Sequence, residues 1–244
     1  MTKILIRCGN FFFHYRDFLF PFIFLSLALL IKPIRFESDP RLDYYMDAAG
    51  LAVAVAGQAL RAVVIGLAYV KRGGKNKHIY ADDLVQEGIF AHSRNPLYVG
   101  NLMVLAGLIV IHGAPLFIAI GGAFYFFAYI TITLAEEEFL GAKFGDKYRE
   151  YCQRVPRFIP RLKGIRQSTS GMSFDWQRVL RKEYGSTFTW ILCAMLTFVW
   201  EKYHYDGLDA ALPRMYGVAI ALPVMLVCYF AVRFLKKAKR LGRD

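Results

Sequence analysis

Cysteine is scarce in this chain. Cys8, Cys152, Cys193 and Cys228 form no close pair and no Cys-x-x-Cys, so neither a disulfide framework nor a zinc site is indicated, and no metal ligand set is predicted. No glycine-rich turn from a strand into a helix occurs, which disfavours a Rossmann-type nucleotide fold. Internal repeats and low-complexity tracts are missing as well. Charge is sparse at 20% of residues, and acid is scarcer than base: 19 Asp and Glu against 31 Lys and Arg, for a net charge of +12. A basic balance can signal nucleic-acid binding. Here the cations are dispersed among long apolar runs, so no nucleic-acid partner is expected.

What the chain does contain is hydrocarbon. Hydrophobic residues make up 56% and aromatics 16%, with a mean hydropathy of +0.33, values outside the usual range for a soluble domain. A helix needs roughly 20 apolar residues to cross about 30 Å of bilayer core. Ala48 to Val70 carries one charge, Arg61, while Pro115 to Ala135 and Met215 to Val232 carry none. Pro96 to Ile111 is shorter but uncharged, with its proline at a first helical position, where the lost N–H costs little. Phe18 to Ile31, extendable through "FFFHYRD" if Arg16 and Asp17 reach the interface, and Ser186 to Trp200 complete the set. The opening segment does not read as a removable signal peptide, because its apolar core comes late and lacks a small-residue cleavage site.

The predicted fold is therefore all-α: a polytopic membrane bundle of about six transmembrane helices, with spans near 18–34, 46–70, 96–112 and 115–135 and two more near the C-terminus. Cytoplasmic N- and C-termini place 25 basic residues in inside segments and 5 in outside loops, as the positive-inside rule requires. Three regions are expected: a core over 1–160, a cytoplasmic linker or interfacial helix over 161–185, and a two-span extension with a basic tail over 186–244. The fourth span is predicted to continue out of the membrane, its Leu140, Phe144, Tyr148 and Tyr151 on one helix face, until Pro156 and Pro160 stop it. In "FDWQRVLRKEYG", Phe174, Trp176, Val179 and Leu180 are candidates for a lipid-facing stripe, although a connector packed on protein fits equally.

Chemistry-bearing residues gather where the third and fourth spans meet. "HGAP" joins these spans as an antiparallel hairpin, bringing Arg94 and Asn95 to the same end as Glu136, Glu137 and Glu138. Snorkelling charges and an ordinary salt bridge are the simplest account of such a cluster. Arg61 is a lone intramembrane cation and hence a functional candidate, with helix pinning through Gln58 or a backbone carbonyl as its structural alternative.

The surrounding pattern shifts that balance. "LVQEGIFAHSRNPLYVGN" followed by "EEEFLGAKFGDKYREYCQRVPRFIP" resembles the isoprenylcysteine carboxyl methyltransferase and phospholipid methyltransferase superfamily. The first block supplies Leu84, Val85, Gly88, Phe90, Arg94, Asn95, Pro96, Tyr98 and Gly100; the second supplies Glu136, Glu137, Leu140, Phe144, Gly145, Tyr148, Tyr151, Val155 and Pro156. The likeness covers roughly residues 48 to 160. It implies methylation dependent on S-adenosylmethionine, with the cofactor at the cytoplasmic membrane surface. Carried over, Leu84, Val85 and Phe90 line the adenosine end, and Asn95, Pro96, Leu97 and Tyr98 close over the cofactor. Glu136 and Glu137 meet its cationic region, and Arg94 attracts its carboxylate. Glu137 is also a candidate base for an amine acceptor, whereas Glu138 matches nothing in the pattern and is expected to be solvated.

The chain departs from the prenylcysteine branch in having Asn95 where that branch has His, and Ile132 where it has a substrate-binding Arg. Arg61 is a candidate replacement and is counted, with Glu136 and Glu137, among the catalytic residues. The implied acceptor is a lipid or small apolar molecule from the bilayer, with a phospholipid-type amine ahead of a prenylcysteine carboxylate. A binding or scaffold protein on the same fold is the alternative.

Overall fold

A computed structural model describes residues 2–34, 40–67, 72–75, 78–238 and 240–241. Helices dominate: α1 (Thr2–Leu30), α2 (Pro40–Leu67), α3 (Pro96–His112), α4 (Pro115–Phe144), α5 (Asp146–Arg154), α6 (Ile165–Thr169) and α7 (Trp176–Lys237). A short antiparallel ribbon, β1 (Arg72–Lys75) with β2 (His78–Ala81), and a 3-10 turn over Gly88–Ala91 lie between α2 and α3. The ribbon is an addition to the all-α expectation. Among the described residues, four helices, α1, α2, α4 and α7, are long and apolar enough to cross a membrane, and α3 is a shorter apolar helix.

Two helix pairs build the core: α1 along α4, and α2 along α3. The first is aromatic. Phe20 sits edge-on to Tyr125 and Tyr129, with centroids 5.4 and 5.5 Å away, and the Tyr125 hydroxyl donates to the Phe20 carbonyl at 2.7 Å. The second is made by glycine. A Cβ on Gly50 would lie 2.7 Å from the Gly107 carbonyl oxygen, and one on Gly57 would lie 2.6 Å from that of Gly100. The two backbones touch at both points, the close approach that small residues allow between apolar helices. Between α3 and α4 the turn closes on Gly113, in the left-handed region at φ 71°, and Pro115 opens α4, as "HGAP" predicts.

Several boundaries differ from the sequence reading. The helix that carries the expected first span, 18–34, is α1, which starts earlier, at Thr2, and ends at Leu30; Phe12 packs edge-on against Phe124 and Phe127 of α4. The second helix begins at Pro40 rather than 46, and residues 68–70 fall outside the described set. The fourth span does leave its apolar run as a helix, but it does not continue unbroken. Gly145, at φ 53°, ends α4, and α5 starts afresh. Leu140, Tyr148 and Tyr151 still pack in one cluster with Phe144 at its edge, since the restart returns the stripe to the same side.

The 161–185 segment is not a separate connector throughout. Asp175 caps α7 by accepting from the Arg178 N–H at 2.9 Å, and the helix runs on without a boundary at 186. Val179 is buried and Phe174 packs against Gly66, while Trp176 and Leu180 remain exposed. At Gly207, with φ 82° and ψ −178°, α7 breaks. Its arms fold back on one another. The ring of Tyr229 lies 5.0 Å from Tyr184 and 5.2 Å from Phe188, and Arg214 donates to the Phe198 carbonyl at 2.7 Å. The two short C-terminal spans of the sequence reading thus fall on the arms of one helical hairpin.

Candidate active site

The mouth of α3 and the exit of α4 meet through two carboxylates with different partners. Tyr98, on the first turn of α3, donates its hydroxyl to Glu136 Oε1 at 2.6 Å, and Arg16 Nη1 of α1 donates to that hydroxyl at 3.3 Å. Tyr98 and Glu136 are both buried, and the chain reaches the surface at the part-exposed Arg16. A charged acceptor makes the shorter bond the stronger one.

Glu137 turns the other way. Arg157 holds it with both donors, Nε to Oε1 at 2.9 Å and Nη2 to Oε2 at 2.7 Å, and Arg94 Nη1 stands 2.9 Å from Oε1. Arg94 also approaches the Cys152 sulfur at 2.8 Å. Burial opposes the charge on Arg94, but the Glu137 carboxylate beside it prevails and holds the guanidinium above its ordinary range. Glu138 is exposed, as expected.

The segment before α3 is strapped to the segment after α5. The Arg94 N–H donates to the Pro156 carbonyl at 2.9 Å, Ser93 Oγ to that of Phe158 at 3.0 Å, and Asn95 Nδ2 to that of Arg157 at 3.1 Å. Tyr151 donates to the Phe90 carbonyl at 2.7 Å. The Asn-Pro and Val-Pro signatures, about 60 residues apart in sequence, are therefore two sides of one structure. Pro96 is buried at the start of α3. Val85 and Leu97 pack beside Phe90, Ile89 and Val64, whereas Leu84 belongs to a second cluster with Leu140, Tyr148 and Tyr151. Leu84 and Phe90 are themselves buried among protein side chains.

Arg61 stands apart from both glutamates. Its Nε and Nη2 donate to the two oxygens of Glu183 on α7 at 2.7 and 2.6 Å, and Nη1 donates to the Asn101 side chain. Gln58 adds a 3.0 Å bond to Glu183 and accepts one of 3.0 Å from Trp190. This network joins α2, α3 and the C-terminal hairpin, so the helix-pinning role has a concrete form, with Glu183 as the partner. Tyr129 lies beside the first of these centres, its ring 5.5 Å from that of Tyr98.

Arg16, Arg157, Glu183 and Tyr129 were not among the site residues read from sequence. Arg16 and Glu183 sit far from their partners in the chain, where no local spacing signals them. Arg157 directly follows the Val-Pro pair, and that position was the available clue.

Comparison with known proteins agrees with the motif reading. The phospholipid methyltransferase family model matches residues 49–147. Protein-S-isoprenylcysteine O-methyltransferase of Rattus norvegicus is 29% identical over 128 residues, 50% of this chain and 44% of that protein. The enzyme of that name from Schizosaccharomyces pombe is 32% identical over 147 residues, 55% of this chain and 59% of that protein. A cobalt-zinc-cadmium resistance protein, CzcN of Cupriavidus metallidurans, is 30% identical over 113 residues, 46% of this chain and 47% of that protein. The chain spans about half the length of the curated relatives it matches. No solved structure matches it significantly. Tyr98 and Glu136, which the geometry joins, both fall inside the matched stretch, so the chain carries over residues 49–147 a segment matching the phospholipid methyltransferase family and is a relative of the protein-S-isoprenylcysteine O-methyltransferases.

Proposed function

We propose that this protein is an S-adenosylmethionine-dependent methyltransferase of the membrane, acting on a lipid or small apolar acceptor from the bilayer, with its active site on the cytoplasmic face. The observation that carries the reading is the buried Tyr98–Glu136 bond, which joins the two motif blocks in a segment related to methyltransferases. A buried carboxylate suits a cofactor with a cationic sulfonium and ammonium, and Glu136 provides it. When bound, the cofactor supplies an activated methyl group. The protein's part is to position the acceptor and exclude water.

Glu137, Arg94 and Arg157 serve the site as a brace. Both oxygens of Glu137 are engaged by arginines, so this residue holds the loop before α3 against the segment after α5. Glu136 is then the acidic group directed at cofactor or acceptor. Asn95, Pro96 and Leu97 form the edge of the site, with Val85 and Phe90 behind them. Leu84 and Phe90 contribute by shaping this wall, since both are packed into it. Arg61 acts through the hairpin it anchors.

The acceptor is a phospholipid-type amine in preference to a prenylcysteine carboxylate. Asn95 replaces the histidine of the prenylcysteine branch, and Ile132, where that branch carries its arginine, is fully buried in the apolar core. Incubating purified protein with methyl-labelled S-adenosylmethionine and a host lipid extract tests the activity. Label in an extractable lipid is the expected result; a protein that binds the cofactor but labels nothing would fit the scaffold alternative.

A further inference from the structure

Glu201 stands in the first arm of α7, just before the break at Gly207. Its side chain is 3% exposed, and its Oε1 has no hydrogen-bond partner. A carboxylate held away from water without a partner is costly, and such a group gives up its charge by keeping a proton.

The surroundings strengthen that preference. Asp43 and Asp47 of α2 and Arg214 of the second arm act electrostatically on Glu201, two acids against one cation. Arg214 is exposed, and its Nη1 donates to the Phe198 carbonyl, so Glu201 Oε1 stays unpaired. On the same arm Lys202 is paired with Asp206 at 2.7 Å. His204 packs its ring 4.3 Å from Trp200, faces His112 of α3 and leaves its own Nδ1 without a partner. The chain after α1 meets this corner through a neutral bond, from the Tyr205 hydroxyl to the Ile34 carbonyl at 3.0 Å. Among the described residues no group of His, Cys, Asp or Glu is arranged to hold a metal ion. A proton is therefore the cation that suits this corner.

We propose that Glu201 is a proton-binding site that fastens the tip of the hairpin to α2, docked while the proton is bound and released when it is lost. Once the tip swings free, Glu201 reaches water, where a carboxyl readily ionises. The docked form thus holds the proton more tightly than the open form. Docking is complete below the ordinary carboxylate range and weakens as pH rises, by up to tenfold per unit for one proton, until the docked form loses the proton as well. The base of the hairpin is fastened differently, by the charged Arg61–Glu183 pair, about 27 Å along the arm. Alkali therefore frees the tip and leaves the base anchored. Asp43, Asp47 and Glu201 all lie outside the family-matched residues 49–147, so the latch is a property of this chain rather than of the shared segment.

Limited trypsin digestion of the purified full chain reads the tip directly, through cuts after Lys202 and Arg214 located by mass spectrometry. The rate is divided by that of Glu201→Gln, which keeps the shape without the removable proton, so that the response of trypsin itself to pH cancels. Between about pH 6.5 and 8.5, above the ordinary carboxylate range, this ratio should rise at least tenfold, with cuts elsewhere in the chain unchanged. Asp47→Asn removes a like charge from the corner and should shrink the rise. Melting curves establish that each variant is folded, and if Glu201→Gln is not, the parent is set against Asp47→Asn alone. Chelation with EDTA at constant pH should leave the tip protected. A flat ratio overturns the proton site, an undiminished rise in folded Asp47→Asn overturns α2 as the partner of the tip, and protection lost to EDTA makes the bound cation a metal instead.

Discussion

Tyr98 and Glu136, 38 residues apart, are joined by a 2.6 Å hydrogen bond inside the protein. Tyr98 also receives a bond from Arg16, so its hydroxyl relays between a cation on α1 and a carboxylate on α4. Replacing Tyr98 by Phe should leave the fold intact and remove this relay. Loss of a buried polar contact is worth about 1–3 kcal/mol, so methyl transfer should fall by one to two decades, with a modest drop in melting temperature because buried Glu136 loses its donor. Unchanged turnover by a folded Tyr98→Phe protein would take the relay out of the site.

The three consecutive glutamates give a graded series, because neighbours on a helix point about 100° apart. Glu136→Gln should weaken S-adenosylmethionine binding and abolish most methyl transfer. Glu137→Gln should also depress activity, but with a lower melting temperature, since it breaks charged bonds to Arg94 and Arg157 worth about 1.5–3 kcal/mol each. Glu138→Gln should leave cofactor binding, turnover and melting near the parent values. Identical behaviour of all three in binding, turnover and thermal assays would reduce the cluster to a solvated helix end.

Removing one partner of the Arg61–Glu183 pair leaves the other charge buried. Such a change costs about 3–5 kcal/mol, and here it should loosen the hairpin first. Glu183→Gln should therefore raise protease sensitivity within 176–237 before the core is cut. Exchanging the charges, Arg61→Glu with Glu183→Arg, should recover part of the loss. Equal protection of the hairpin in Glu183→Gln and parent would show that the pair does not anchor it.

Orientation is accessible to chemistry from outside the cell. Single cysteines near Asp43 and Asp209 should react with an impermeant thiol reagent, and cysteines near positions 75 and 163 should not. Labelling near position 163 from outside would overturn the proposed six crossings with both termini inside.

Hydrophobic runs and the two motif blocks were legible in the sequence because their information is local. Helix period, the proline at the start of α3 and the short "HGAP" turn suffice to place Tyr98 and Glu136 at one end of a hairpin. Arg16 and Glu183 were not legible as partners, because their bonds span 82 and 122 residues respectively and depend on which helix faces which. The break at Gly145 was hidden for another reason. Leu140, Phe144, Tyr148 and Tyr151 keep a helix-like spacing through it, so periodicity reads two helices as one. Gly207 falls between the two predicted C-terminal spans, where the helix resumes at once and makes that stretch the tip of a hairpin.

The glycine contacts between α2 and α3 act as a two-toothed key. Gly50 meets Gly107 and Gly57 meets Gly100, and both pairs can close only when the antiparallel helices stand at one relative height. A slip of one turn, about 5.4 Å, would open both pairs and carry Arg61 away from Asn101. Backbone contact, rather than interchangeable greasy side chains, therefore sets the level at which Arg61 meets its partners and the mouth of α3 meets Glu136. Substituting Gly57 by Ala drives a methyl group toward the Gly100 carbonyl and should disturb the alignment at a site some turns away, with no change to any residue that touches a ligand.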